Sequence, residues 1–316
     1  MQSNQVRGFL RSLEELDKNR WDREALQEFA KLKVPHHMLG PKQLLLEVDV
    51  TVLHAWWFIE SVADLAIYVH DESSHILHLG IDILREIRRR YPTLPLDEVK
   101  QLAEILTEIA WGEVLQRRAR KRHSITLADR RLLWSNAQPD PRCYLCGYQF
   151  SPQAGARLVR SGNAPIPEPL FVDFTRPRGL NPRDLRIEVD HVRPVTSGGL
   201  TDISNLRLAC GWCNRVKSKY GSLYDVGSWA LGKILNPHLG WVTVPQPFWV
   251  LRLVSMTGRC EEASGCTATL DTHELFAGPQ NARGALNPAN FAVYCSDHDP
   301  WSYERYVSLA TARSRI

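Results

Sequence analysis

The residues with the clearest chemical potential in this chain are its seven cysteines and a polar run between two of their pairs. Cys143 and Cys146 in CYLC, and Cys210 and Cys213 in CGWC, each leave two residues between thiols, so both sulfurs of a pair can reach one ion. Four sulfurs from two such knuckles complete the closed tetrahedral set that structural Zn²⁺ prefers. A second group offers three sulfurs and one imidazole for another Zn²⁺: Cys260 and Cys266 in RCEEASGC, with Cys295 and His298 in YCSDH. The two sites use every cysteine, whereas disulfides alone would leave one thiol over. Isolated buried cysteines, or His273 in place of His298, are the alternatives at the second group. The N-terminal stretch lacks the apolar core of an export signal. A reducing cytoplasm is therefore expected, where cysteines serve metals more than disulfides.

Between the first two pairs lies RIEVDHVRPVTSGGLTDISNLRLACGWCNRVKSK. Taken singly, Asp190-His191 reads as a polar pair at a strand end, Asn205 as a turn residue and Asn214 as a helix-surface residue. Taken in order, Asp190-His191, Pro194, Gly198-Gly199, Asn205-Leu206, Cys210, Cys213-Asn214 and Lys217 resemble the motif of HNH endonucleases. The likeness covers roughly 143–220, about a quarter of the chain. It implies a ββα-metal module that hydrolyses phosphodiesters, with His191 as general base and Asn205 orienting the imidazole. It also implies that Asp190 and Asn214 hold Mg²⁺ or another divalent ion. The first zinc would then clip the helix bearing Asn214 against the hairpin bearing His191, without doing chemistry. Arg193, Arg207, Arg215, Lys217 and Lys219 are candidate phosphate contacts.

A strand over 185–192 has to present His191, and in an ideal pleat its neighbour Asp190 points to the other side. A helix has to follow the second knuckle. The 43 residues between Cys146 and Asp190 exceed what a compact HNH module needs. The Pro-, Gly- and Arg-rich part, 155–182, reads as an irregular insertion that faces substrate, faces a partner or is merely tolerated.

Upstream, 1–135 reads as a helical domain for interaction or regulation. Pro41 opens one helical run, Pro92 and Pro95 break another, and a helix restarts near Leu96 with Val99, Leu102, Ile105, Leu106, Ile109 and Leu115 at helical spacing. It ends in the basic run 117–123. The stretch 50–69 is about long enough to span a bilayer. His54, Glu60 and Asp64 oppose that, since a central acidic residue costs roughly 2.5–3.5 kcal/mol on insertion scales. No membrane role is expected. After the module (136–222), the region 223–316 reads as short strands, including WVTVPQPFWVLRLV, stapled by the second zinc. The fold class expected is α+β.

Charge separates the middle from the rest. Across 141–221 there are 12 Lys/Arg against 6 Asp/Glu, in a chain whose net charge is only +4. A basic segment in a near-neutral chain suits nucleic acid. The leading expectation is a DNA endonuclease, in the setting of anti-phage defence or restriction, gated through a protein partner on the helical domain. The competing expectation is a catalytically inactive, zinc-stabilised nucleic-acid-binding or scaffold protein. RNA is a further candidate substrate.

Overall fold

The computed structural model describes residues 3–17, 30–35, 38–119, 124–195, 199–227, 230–262 and 264–314. Two compact units emerge, Met1–Asp49 and Val50–Ile316. Helix α1 (Ser3–Asp17) lies in the first. Helix α2 (Gln43–Val62) follows, and the run expected to continue past it stops at Asp64, whose carboxylate accepts from the Ala66 N–H at 3.0 Å and caps α3 (Leu65–His70).

Helices α4 (Ile76–Arg90) and α5 (Leu96–Arg118) flank the break at Pro92 and Pro95 and pack on each other. Leu79, Ile83 and Ile87 form a stripe that meets Val99, Ala103, Leu106, Ala110 and Val114. Burying each larger aliphatic side chain contributes about 1.5–3 kcal/mol. Ile105, Ile109 and Leu115 share the helical spacing of this stripe but point outward. The basic run splits in role. Arg117 pairs with Glu113 at 2.7 Å, and Arg118 binds the carbonyls of Tyr68, Asp71 and Ser74. Residues 120–123 of that run lie outside the described residues.

Helices α6 (Leu127–Asn136) and α7 (Pro152–Leu158) lead into the expected insertion, which is less irregular than its composition suggests. Strand β1 (Phe171–Asp173) pairs antiparallel with the C-terminal strand β8 (Tyr306–Ser308). Asp173 and Thr175 also meet Arg305, which is fully buried. Its guanidinium takes Asp299 in two bonds of 2.6 and 2.9 Å and reaches the carbonyl of Ala277. A buried charge persists only when its donors are all answered, and Arg305 meets that condition.

The central hairpin joins β2 (Ile187–His191) to β3 (Leu206–Cys210), and α8 (Gly211–Lys217) follows directly. Beyond it come β4 (Lys233–Asn236) paired with β5 (Gly240–Thr243), α9 (Pro247–Thr257), β6 (Leu275–Pro279) paired with β7 (Phe291–Cys295), and α10 (Leu309–Arg313) after β8. Helices with small antiparallel strand pairs make the fold α+β.

One segment departs from expectation. In WVTVPQPFWVLRLV only the first residues are strand, and PFWVLRLV opens α9. A continuous apolar run cannot be told from a buried helix by periodicity. Pro247 in the first turn and Gly258 in the left-handed region at φ 67° punctuate the helix, and Phe248, Trp249, Val250, Leu251, Leu253 and Val254 are all buried. No helix among the described residues is long and apolar enough to cross a membrane.

Candidate active site and metal centres

The register of the hairpin places Asp190 opposite Arg207 and His191 opposite Leu206. Alternation along β2 then puts Glu188 and Asp190 on one side. Helix α8 closes on that side, with Asn214 donating its amide to Glu188 and the Lys217 ammonium 2.7 Å from the Asp190 carboxylate. Lys217 also donates to the carbonyl of His191. The Tyr144 hydroxyl donates to the same Asp190 oxygen at 2.5 Å. Burial first, and the Asp190 charge second, push that hydroxyl far above the ordinary phenol range, so Tyr144 stays a donor. Only 8% of Asp190 is exposed, and these two donors satisfy its buried carboxylate.

His191 is half-buried, and its Nε2 stands 2.9 Å from the Thr201 hydroxyl. Asn205 meets the main chain beyond the histidine. It accepts from the Arg193 N–H at 2.9 Å and donates to the carbonyls of Arg193 and Leu200 at 3.1 and 2.8 Å. Asn205 therefore folds the loop after His191 back on itself. Gly199 is part of that closure, since a Cβ there would sit 1.9 Å from the Arg193 carbonyl. Gly198 lies outside the described residues.

A cleft of about 520 Å³ opens on this arrangement, lined among others by Arg183, Glu188, Asp190, His191, Asn214 and Lys219. The four central side chains, expected from sequence as His191, Asp190, Asn214 and Asn205, thus divide: three line the cleft and Asn205 shapes the loop beside it. Three oxygen-bearing side chains, Glu188, Asp190 and Asn214, suit a hard divalent ion, with the Lys217 ammonium already resting on one of them. Glu188, Tyr144 and Thr201 were not singled out from sequence. Glu188 had a readable signal, its place two residues before Asp190 on a period-two strand.

Both cysteine groups converge as well. The sulfurs of Cys143, Cys146, Cys210 and Cys213 lie within 4.8 Å of one another and are all fully buried. The ligand atoms of Cys260, Cys266, Cys295 and His298 meet the same limit, with Cys266 and His298 partly exposed. An ion about 2.3 Å from each sulfur at tetrahedral angles separates the sulfurs by about 3.8 Å. Cys266 and Cys295 stand 3.8 Å apart, and His298 Nδ1 is 3.7 Å from Cys260 and 3.3 Å from Cys295. Both groups can hold a metal ion, and both donor sets fit zinc. His273 instead bonds Thr272 and is no part of the cluster.

Residues 180–219 match the family model described as HNH endonuclease. The chain carries an HNH domain. No curated protein and no solved structure matches it. The HNH domain supports a nuclease of the HNH type and implies contact with nucleic acid.

Around the HNH cleft the five candidate phosphate contacts have different surroundings. Arg215 and Lys219 line it, Arg215 paired with Asp184. Lys217 is committed to Asp190, and Arg207 donates to the carbonyls of Ser204 and Leu206 at 2.9 and 2.8 Å. Arg193 reaches 2.5 Å from the buried Glu113 of α5, which also holds Arg117. The loop after His191 is thereby tied to the helical region.

Proposed function

We propose that the protein is a metal-dependent endonuclease that hydrolyses phosphodiester bonds in DNA, with His191 as the general base. The observation that carries this reading is the one cleft on which His191, Asp190, Glu188 and Asn214 open together inside an HNH domain. In it the imidazole takes the proton of the attacking water, a role that contributes about 10²–10⁴-fold. Thr201 orients the ring, and Asn205 holds the loop that sets where the ring stands. Asp190 and Asn214 would hold the divalent ion, with Glu188 as a third oxygen donor. Once bound, Mg²⁺ or a similar ion supplies positive charge against the phosphate and the leaving oxygen. Lys217 and Tyr144 keep the Asp190 carboxylate aligned. Arg215 and Lys219 face the nucleic-acid backbone, joined by Arg193 and Arg207 where they leave their internal partners. Zn²⁺ at the two cysteine groups is structural.

We assign these tasks to three regions: 1–135 regulatory, 136–222 nuclease, 223–316 stapled by the second zinc. The Glu113–Arg193 pair, 80 residues apart in sequence, supports gating by the helical region. A gated effector of anti-phage defence or restriction is the setting that such coupling suits.

The test is cleavage of supercoiled plasmid, linear duplex and single-stranded RNA by wild type and His191→Ala, with Mg²⁺, Mn²⁺ or EDTA. Metal-dependent DNA cleavage reduced by about 10²-fold or more in the variant is expected. Equal cleavage by both proteins would remove His191 as the base. A wild type inert on every substrate would mean either that the helical region withholds activity until an activator binds or that the scaffold reading holds.

A further inference from the structure

A second cleft, of about 410 Å³, shares strand β2 with the HNH cleft and is lined by Arg130, Arg157 and Arg186 together with Asn163, Ile166 and Ile187, among others. The three arginines come from α6, from α7 at the start of the insertion, and from the residue that enters β2. None has a carboxylate partner among the described residues, and no acidic side chain lines the cleft. The Arg157 guanidinium is held in place by the carbonyls of Ala164 and Asn163, both at 2.9 Å, which orient it without cancelling its charge. Arg157 and Arg186 are exposed and Arg130 is half-buried.

The neighbouring charges make this pattern informative. Arg183 is answered by Glu188, Arg215 by Asp184 and Arg142 by Asp140. On this one cleft three arginines instead stand without an acidic partner, an arrangement that suits a bound anion. Planar guanidinium forks are the donors best matched to phosphate oxygens. The two clefts are also continuous in the chain, since Arg186 and Ile187 line one while Glu188 and Val189 line the other.

We infer that the cleft of Arg130, Arg157 and Arg186 binds the phosphodiester backbone of the nucleic acid away from the bond being cut. The insertion after the first zinc knuckle is then part of the substrate track, contributing Arg157, Asn163 and Ile166. This rests on the nuclease reading for the identity of the polymer, but its measurement is binding rather than cleavage.

The probe is fluorescently labelled duplex DNA, titrated with full-length protein at several salt concentrations in EDTA, so that no cutting intervenes. Wild type is compared with Arg130→Gln/Arg157→Gln/Arg186→Gln on a long duplex. Each lost phosphate contact lowers the slope of log affinity against log salt by about 0.9, so a fall of about 2.7 is expected, with affinity about tenfold or more weaker near 0.15 M salt. Because Arg157 also ties its own loop, Arg130→Gln/Arg186→Gln is a second variant that breaks no side-chain bond seen here, and it should lose about 1.8 of the slope. Arg157→Lys should keep the wild-type slope, because charge and not fold is measured. A triple variant with the wild-type slope, or a wild type that binds no duplex, overturns the inference. So does displacement of the duplex by a millimolar mononucleotide in wild type but not in the triple variant, which would reassign the cleft to a small phosphate ligand. If wild type binds with the expected slopes yet cuts nothing when Mg²⁺ or Mn²⁺ is supplied, the track stands and the catalytic reading falls.

Discussion

The two cysteine groups share a ligand logic but sit in different surroundings. All four ligands of the first are sealed from solvent, and its two knuckles lie in the chain before and at the end of the HNH hairpin, with Cys210 ending β3 and Cys213 on α8. Tyr144, between Cys143 and Cys146, donates from its N–H to the Leu208 carbonyl and from its hydroxyl to Asp190. The second group staples 260–298, and two of its ligands are partly exposed. Metal at the first group therefore bears on the position of Asp190 and Asn214, while metal at the second bears on its own lobe. A closed site inside the HNH module and a more open one outside it should respond differently to the same insult.

Removing a ligand from each group gives the largest contrast. Structural zinc contributes about 10–16 kcal/mol in small domains that fold around it. Cys213→Ser is expected to unfold the HNH hairpin, seen as loss of one zinc equivalent, cooperative melting at lower temperature and no metal-dependent cleavage. Cys266→Ser should lose the other equivalent with the HNH region still folded. A chelator added to wild type should likewise withdraw the two equivalents in sequence, the second group first. Simultaneous release at one rate would mean that the groups form a single folding unit.

A glycine beside each group sharpens the same contrast at smaller cost. Gly147 follows Cys146 at φ 75°, and Gly265 precedes Cys266 at φ 79°, so either substitution meets the penalty of a left-handed backbone. Their surroundings differ. A Cβ on Gly147 would lie 1.9 Å from the His273 carbonyl, whereas nothing lies within 4 Å of one on Gly265. Gly265→Ala should cost about 1 kcal/mol from backbone strain alone. Gly147→Ala should cost about 3 kcal/mol, because main chain has to move as well. Thermal melting of the two zinc-loaded variants measures both, and equal losses would show that the approach of His273 has no consequence.

These features differ in how far the sequence exposes them. The cysteine pairs and the Asp190-His191 to Lys217 series are local patterns whose spacing carries their chemistry, and three of the four central residues read from it line one cleft. The Asn214–Glu188 contact and the Glu113–Arg193 pair depend on which element packs on which, and nothing local reports it. The insertion shows the same limit. Three-residue β1 has too little pattern of its own and forms because residues 306–308 lie beside it. In α9 the signals were present but opposed: aromatic and β-branched residues argued strand, while Pro247 and Gly258 marked a helix. Punctuation outweighed composition there, because complete burial removes the amphipathic period that would have decided it.

The smallest effect separates the groups through a charge rather than a ligand. Four thiolates around one Zn²⁺ leave a net charge of −2, and burying that requires a cation nearby. Arg178, from the insertion, supplies it. Its guanidinium donates to Cys146 Sγ at 3.8 Å and to Glu274 at 2.7 Å, and it stacks 3.9 Å above the Tyr148 ring. Against the burial that would favour losing its proton, Glu274 and the cysteines hold it well above its ordinary value, so it is charged at every accessible pH. Arg178→Met keeps much of the side-chain volume and removes the charge. Groups that support metal ligands typically change affinity by about 10–100-fold when lost, so zinc should leave the first group about tenfold faster while release from the second is unchanged. Release can be followed with a coloured chelator, in the Cys266→Ser background to read the first equivalent alone and in the otherwise wild-type chain to read the second. An unchanged rate would mean that Arg178 serves Glu274 and the packing of the C-terminal lobe, and that the closed site is stable through burial alone.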